Sequence, residues 1–393
     1  MHRKVRLFSL VSISSLVLAL CLTGQPSFAQ IDADQAAASQ VTTITATQAE
    51  QQAALAAWTR EARLAAKPLS LPVMTAADIN AAATEAEAIG VSGSVAGGRP
   101  NRNAEAAARS QYPEEWQELS EELEEQSLLE DESVGKNNLY APLIIQGGEQ
   151  GVTASDVTSP YGTAGVYTSY LGNFYSQMYR YYPYHAVGKL YITGGGYCSA
   201  SVISPNNIIV TAAHCVYDTV NNRWLNGWTF VPADRNGTAP YGSFPWVSAS
   251  ILNAYISASS NTARYDVAVI KLGNNSAGRP VTYYTGWLGR SWNYNYVQSL
   301  HAVGYPSNLN SGRYTYLCAA ETASGGTDVL RMGCNMTFGS SGGPWIRVFA
   351  PYATGARNYV NSVVSGGTPG TNTFYGIRFT SSNIVTLCNI QGC

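Results

Sequence analysis

Three short stretches of this chain carry side chains suited to acyl transfer. Phe338-Gly339-Ser340-Ser341-Gly342-Gly343-Pro344-Trp345 sets a hydroxyl among glycines. Glycine admits backbone turns closed to other residues. Such a turn can aim two N–H groups at one point beside the serine, which is how an oxyanion is stabilised. Upstream lie Thr211-Ala212-Ala213-His214-Cys215 and Tyr265-Asp266-Val267-Ala268-Val269-Ile270-Lys271-Leu272. An imidazole exchanges protons near neutral pH. An aspartate that opens an alternating apolar strand is half-buried and demands a hydrogen-bonded or charged partner. His214, Asp266 and Ser341 thus supply base, orienter and nucleophile.

At these residues the sequence resembles the chymotrypsin-like (trypsin-like) serine endopeptidases. Ala212-Ala213-His214-Cys215 is similar to that family's histidine motif, and Asp266 opens a strand as its aspartate does. Gly339 to Pro344 match its serine motif at five of six positions, and the order His214, Asp266, Ser341 is the family's, with steps of 52 and 75 residues. The resemblance covers about residues 160–393 and is nearest to the bacterial and fungal branch that includes the glutamyl endopeptidases. It implies an all-β body of two antiparallel six-stranded barrels with the site in the cleft between them. It also implies an oxyanion hole at the N–H groups of Gly339 and Ser341, and a substrate-pairing strand at Ser365-Gly366-Gly367.

Ser340 is the departure from the digestive and clotting members, which have aspartate there to pair with a newly cut N-terminal amine. Ser340 cannot form that ion pair, so activation, if it requires cutting, is expected to act by removing the acidic prosegment. Asn335, six residues before the nucleophile, falls where the specificity-pocket floor is expected and argues against a preference for Arg or Lys. Val364 stands where glutamate-selecting relatives carry a histidine. An uncharged side chain is therefore the expected substrate preference.

Against this, Gly339 to Gly343 also fit the nucleophile elbow of an α/β-hydrolase, G-x-S-x-G. That fold needs an acid and then a histidine after the serine, and no Asp, Glu or His follows Ser341. The other alternative is a catalytically silent binding protein on a protease scaffold. Loss of a triad member would mark it, and none is missing.

Charge divides the chain. Residues 30–159 carry 7 basic and 20 acidic side chains, a net −13, whereas residues 160–393 carry 13 basic and 5 acidic, a net +8. The acidic front is a candidate intramolecular partner for the basic body. The eleven arginines beyond residue 160 are scattered, which gives no footprint for nucleic acid.

Residues 1–29 read as a secretory signal, with His2, Arg3, Lys4 and Arg6 before the apolar run Leu7 to Leu22 and small residues at Ser27-Phe28-Ala29. Residues 30–159 read as an acidic, Ala/Glu-rich propeptide and linker. Helical character is expected over Ala53 to Ala66, with Pro68 and Pro72 breaking any continuation beyond it. Pro113 to Glu132 reads either as a strongly acidic helix with Trp116, Leu119 and Leu123 on one face or as a solvated, disordered acidic segment, so the prosegment is expected to be partly helical or disordered. The stretch Ser133 to Tyr161 suits proteolytic cutting. Residues 160–393 then show short β-branched and aromatic runs broken by turn residues. Eleven runs suit strands, six in the first barrel and five in the second, with a C-terminal helix at Ser381 to Leu387.

Six cysteines remain once Cys21 leaves with the signal, an even number in an exported chain. Sequence alone permits fifteen pairings. Cys198 and Cys215 resemble the family's disulfide around the histidine loop, and Cys318 with Cys334 and Cys388 with Cys393 are the natural remaining pairs. A metal site is disfavoured by the lack of Cys-x-x-Cys and by only three histidines beyond the signal. The expectation is a secreted monomer, outside the cell or in the periplasm, that needs no cofactor. Its expected partners are peptide substrates and its own propeptide, with no membrane attachment after signal removal.

Overall fold

The structure, a computed structural model, describes residues 40–74, 90–133, 167–171, 178–258, 262–353, 355–368 and 371–393. The expected signal peptide and the expected cut between Ser133 and Tyr161 lie outside the described residues.

Six antiparallel strands close on themselves as a barrel: Val187–Ile192, Gly196–Ser204, Ile208–Thr211, Ala268–Leu272, Phe244–Leu252 and Trp228–Pro232. β-Branched residues favour the pleated backbone, and their alternation sorts side chains between two apolar layers. Ile209, Ala268 and Ile270 belong to the cluster inside this barrel. Ile208, Val210 and Val269 belong instead to a cluster shared with Val303, Leu317, Ile346, Val363 and Ile377 of the second sheet. That shared layer fixes one sheet against the other.

The second sheet runs Ala323–Gly326, Val329–Gly333, Thr373–Arg378, Tyr359–Gly367, Pro344–Arg347, Ser299–Gly304, Tyr316–Glu321, Thr168–Leu171. Among the described residues no pairing joins its two ends, so it forms a half-barrel. The all-β double-barrel expectation holds. The eleven expected runs do not include Val329–Gly333, a five-residue strand that pairs with Ala323–Gly326 just before it and with Thr373–Arg378 more than forty residues on. The chain ends in a helical run that is wide-turned over Ser381–Val385 and continues as an α-helix over Thr386–Gln391.

The acidic front packs on this body at several points. Val41–Thr45 pairs antiparallel with Leu252 to Ser248 of the first barrel, and Gly93–Val95 pairs with Trp292 to Arg290. The single helix expected over Ala53 to Ala66 is two, Gln48–Ala57 and Arg60–Ala65. Thr59 caps the second, its hydroxyl accepting from the Ala62 N–H, while the Trp58 ring packs at a tilt against Tyr191 of the body, their centroids 4.7 Å apart. The acidic helix is Pro113–Ser133, with proline at its start where no N–H is missed. Trp116 and Leu119 are buried in the first-barrel cluster, as their spacing predicts, and the Trp116 indole donates to the Pro240 carbonyl at 2.8 Å. The side chain of Leu123 is outside the described residues. Acid–arginine pairs join front to body: Arg235 with Glu122 at 3.0 Å and Arg180 with Glu105 at 2.6 Å. Within the front segment itself, Arg63 pairs with Glu115 at 3.0 Å.

Candidate active site

His214 sits in the one-turn helix Ala213–Cys215 just after strand Ile208–Thr211. Cys215 ties this turn to Cys198 in the neighbouring strand, the Cα atoms 6.2 Å apart. Asp266 precedes strand Ala268–Leu272, which pairs with Ile208–Thr211, so the strand register brings acid and base together. The His214 backbone N–H donates to Asp266 Oδ1 at 2.8 Å, and the imidazole Nδ1 lies 2.8 Å from Oδ2. The Ser365 hydroxyl donates to the same Oδ2 at 2.6 Å. Asp266 is 2% exposed. Three hydrogen bonds thus satisfy a carboxylate that would be costly to bury alone. With the proton on Nδ1 toward the acid, Nε2 would carry the lone pair that a base needs.

Ser341 lies in the loop before strand Pro344–Arg347. Gly339 and Gly342 take φ of +89° and +77°, and a Cβ on Gly342 would fall 2.0 Å from Thr211 Oγ1. Only glycine fits there, between the nucleophile and the histidine-bearing stretch. The loop is pinned from outside: Ser199 N–H donates to the Ser341 carbonyl at 2.8 Å, and the Ser199 hydroxyl to the Gly339 carbonyl at 2.9 Å. The amides of Ser340, Gly342 and Gly343 are bound to Thr337, Val364 and Ser340 carbonyls. Those of Gly339 and Ser341, the expected oxyanion donors, have no partner among the described residues.

The Ser340 side chain is fully buried and donates to the Thr337 carbonyl of its own loop at 2.5 Å. Ser341 Oγ and His214 Nε2 are both buried without a hydrogen-bond partner among the described residues. Buried polar atoms are rarely left unpaired, which sets these two apart.

Val364 N–H donates to Gly343 O, which fastens strand Tyr359–Gly367 to the nucleophile loop. Ser365, Gly366 and Gly367 come next along this strand. Asn335 is half-buried near Cys334. Its amide oxygen accepts from the Ser169 hydroxyl at 2.7 Å, and its carbonyl from Asn308 Nδ2 at 2.8 Å. All three disulfides anticipated from the sequence are present: Cys198–Cys215, Cys318–Cys334 and Cys388–Cys393. Cys198, His214 and Cys215 converge, but the disulfide removes the thiolates that a metal ion would need.

Two roles are not legible in the residues. The resemblance gives Ser365 only a place facing substrate, yet its side chain is the third donor to Asp266. Ser199, next to Cys198, braces the nucleophile loop, and no motif marks it.

A family model, the trypsin-like peptidase domain, matches residues 198–348. A glutamyl endopeptidase of Bacillus licheniformis is 30% identical over 134 residues, 33% of this chain and 39% of the relative. A Bacillus subtilis protein named extracellular metalloprotease is 31% identical over 133 residues, 33% of this chain and 38% of the relative. The chain therefore spans about two-fifths of the length of these curated relatives. Among solved structures, the protease Anisep from Arthrobacter nicotinovorans is 27% identical, with a TM-score of 0.47, covering 53% of this chain and 95% of its own. The match spans the histidine, aspartate and serine motifs together, so over residues 198–348 the chain is similar to a trypsin-like peptidase domain.

Proposed function

We propose that the chain is an exported serine endopeptidase whose triad is His214, Asp266 and Ser341. The observation that carries the reading is the buried Asp266 carboxylate, held by His214 and Ser365, beside a nucleophile loop with two spare amides. Ser341 Oγ attacks a peptide carbonyl and gives its proton to His214 Nε2. The developing oxyanion takes hydrogen bonds from the Gly339 and Ser341 N–H groups. His214 then returns the proton to the leaving amine, and water repeats the sequence on the acyl-enzyme. No cofactor enters these steps.

The acidic segment 30–159 is read as a propeptide. The ion pairs of Arg235 with Glu122 and Arg180 with Glu105 support it, as does the burial of Trp116 and Leu119 against the barrel. Three disulfides fit an oxidising compartment. No described helix is long and apolar enough to cross a membrane.

The test is a fluorophosphonate label and intact mass on the exported protein, wild type beside Ser341→Ala. One label on Ser341 in a trimmed chain of wild type, and none on the variant, is the expected result. A folded, trimmed wild type that takes no label would sink the enzyme and favour a silent binding protein.

A further inference from the structure

The front segment crosses the cleft. On the first barrel, Lys67–Pro68 pairs in parallel with Gly196–Tyr197; Lys67 N–H donates to Gly195 O at 2.8 Å and Leu69 N–H to Tyr197 O at 3.0 Å. On the half-barrel, Val73 pairs in parallel with Gly367; Gly367 N–H donates to Pro72 O and Met74 N–H to Gly367 O, both at 3.1 Å. The two anchor points flank the nucleophile. Tyr197 lies against Gly339, where an added Cβ would fall 2.6 Å from its ring, and Gly367 lies two residues beyond the Ser365 that holds Asp266. Pro68 and Pro72 keep the stretch extended, because each bars its preceding residue from helical geometry.

Between the anchors Leu71 points inward and is 8% exposed. Its Cδ2 is 3.0 Å from where a Cβ on Gly367 would stand. It joins the apolar cluster of Cys334, Met336, Val364 and Phe374, on the chain leading into the nucleophile loop and on the strand leading into Ser365. This is where a side chain adjoining the scissile bond would go.

The direction is the reverse of a productive one. His214, on the first barrel, must protonate the leaving amine, so the leaving half of a substrate faces Gly196–Tyr197. The acyl half then lies along Ser365–Gly367, and the substrate runs from Gly367 toward Tyr197, antiparallel to that strand. The segment Leu69 to Met74 runs the other way, parallel to it.

We propose that Leu69–Met74 is a built-in ligand laid backwards through the substrate groove, and that Leu71 marks the pocket beside Met336 and Val364 as one for leucine-sized apolar side chains. This rests on the endopeptidase reading above. The groove is silenced by a peptide that fills its subsites without presenting a cleavable bond, and the same peptide reports what those subsites take.

The test compares intact full-length wild type with Leu71→Asp and Met74→Pro in rate of fluorophosphonate labelling, beside wild type matured from the folded full chain. The variants are expected to label at least tenfold faster than intact wild type, at a rate near that of the matured protein. A synthetic peptide of residues 67–74 should inhibit the matured protein competitively and stay uncut, a readout that does not depend on either variant folding. In a peptide panel, the matured protein should favour Leu or Met over Glu and Lys by at least tenfold in kcat/KM. Equal labelling of intact and matured protein, cleavage of the 67–74 peptide, or a preference for Glu would each overturn the proposal while leaving the enzyme intact. A matured protein that takes no label overturns the endopeptidase reading itself.

Discussion

Ser365 donates its hydroxyl to the same Asp266 oxygen that lies against His214 Nδ1, at 2.6 Å beside 2.8 Å. The strand read as substrate-pairing is thereby tied to the acid that orients the base. In the proposed enzyme one residue would carry a backbone for substrate beside its side chain for Asp266.

Ser365→Ala keeps the backbone and removes that donor. A hydrogen bond to a charged group contributes about 1.5–3 kcal/mol, so kcat should fall about 10- to 100-fold with KM little changed. Steady-state kinetics on matured protein check this, and an equal loss in both parameters would point to a distorted strand instead.

Ser340 closes its loop on the Thr337 carbonyl. Ser340→Ala should lower stability by about 1 kcal/mol. Ser340→Asp should cost about 3 kcal/mol or more, because it places an unpaired charge at a fully buried site. Denaturant midpoints of the two variants should differ in that order.

The Cys198–Cys215 bridge closes a 17-residue separation around His214. Replacing both cysteines by serine should cost about 3 kcal/mol by the chain-entropy account. Unfolding monitored beside active-site labelling should show stability and triad order lost together.

Arg235 is 1% exposed beneath Glu122, which also accepts from the Tyr314 hydroxyl. Glu122→Gln leaves a buried guanidinium short of its carboxylate, a change typically worth about 3–5 kcal/mol. Hydrogen exchange of helix Pro113–Ser133 should rise by orders of magnitude in the variant if that helix docks through this pair.

Burial holds His185 down to about 3 and His301, stacked 4.4 Å from Phe349, down to about 4. The unfolded chain takes up these protons near pH 6.5, so below that point it binds more protons than the folded one. Stability is then fully present above about pH 6.5 and declines as pH falls toward these lowered values. Thermal midpoints between pH 7 and 4 should show the decline, and His185→Gln with His301→Gln should flatten it.

Much of this was legible because the chemistry depends on residue types in local runs. The histidine, aspartate and serine stretches each declare themselves within eight residues, and Trp116 with Leu119 reveal a buried face by helical spacing alone. What escaped depends on partners far away in sequence. Val41–Thr45 becomes a strand only because Leu252 to Ser248 lies beside it. Pro68 and Pro72 read as interruptions of a helix, whereas in the fold they keep extended a segment tied by hydrogen bonds to Gly195, Tyr197 and Gly367. Ser199 and Ser365 act through side-chain bonds across elements, and neither leaves a mark on the pattern of its own strand.

The pairing of Val41–Thr45 would have a consequence for the protein if its front segment is removed as proposed. Ser248 to Leu252 would then present a row of open amides and carbonyls, with Ala268–Leu272 on one side and no described strand on the other. Exposed sheet edges are commonly guarded by lysine, proline or a bulge; Ser248-Ala249-Ser250-Ile251-Leu252 holds neither residue, and only the register shift between Trp246 and Ser248 interrupts the strand at its start. The mature protein would be adhesive along this line, open to self-association through strand addition, and its solubility would depend on how briefly that edge stands bare.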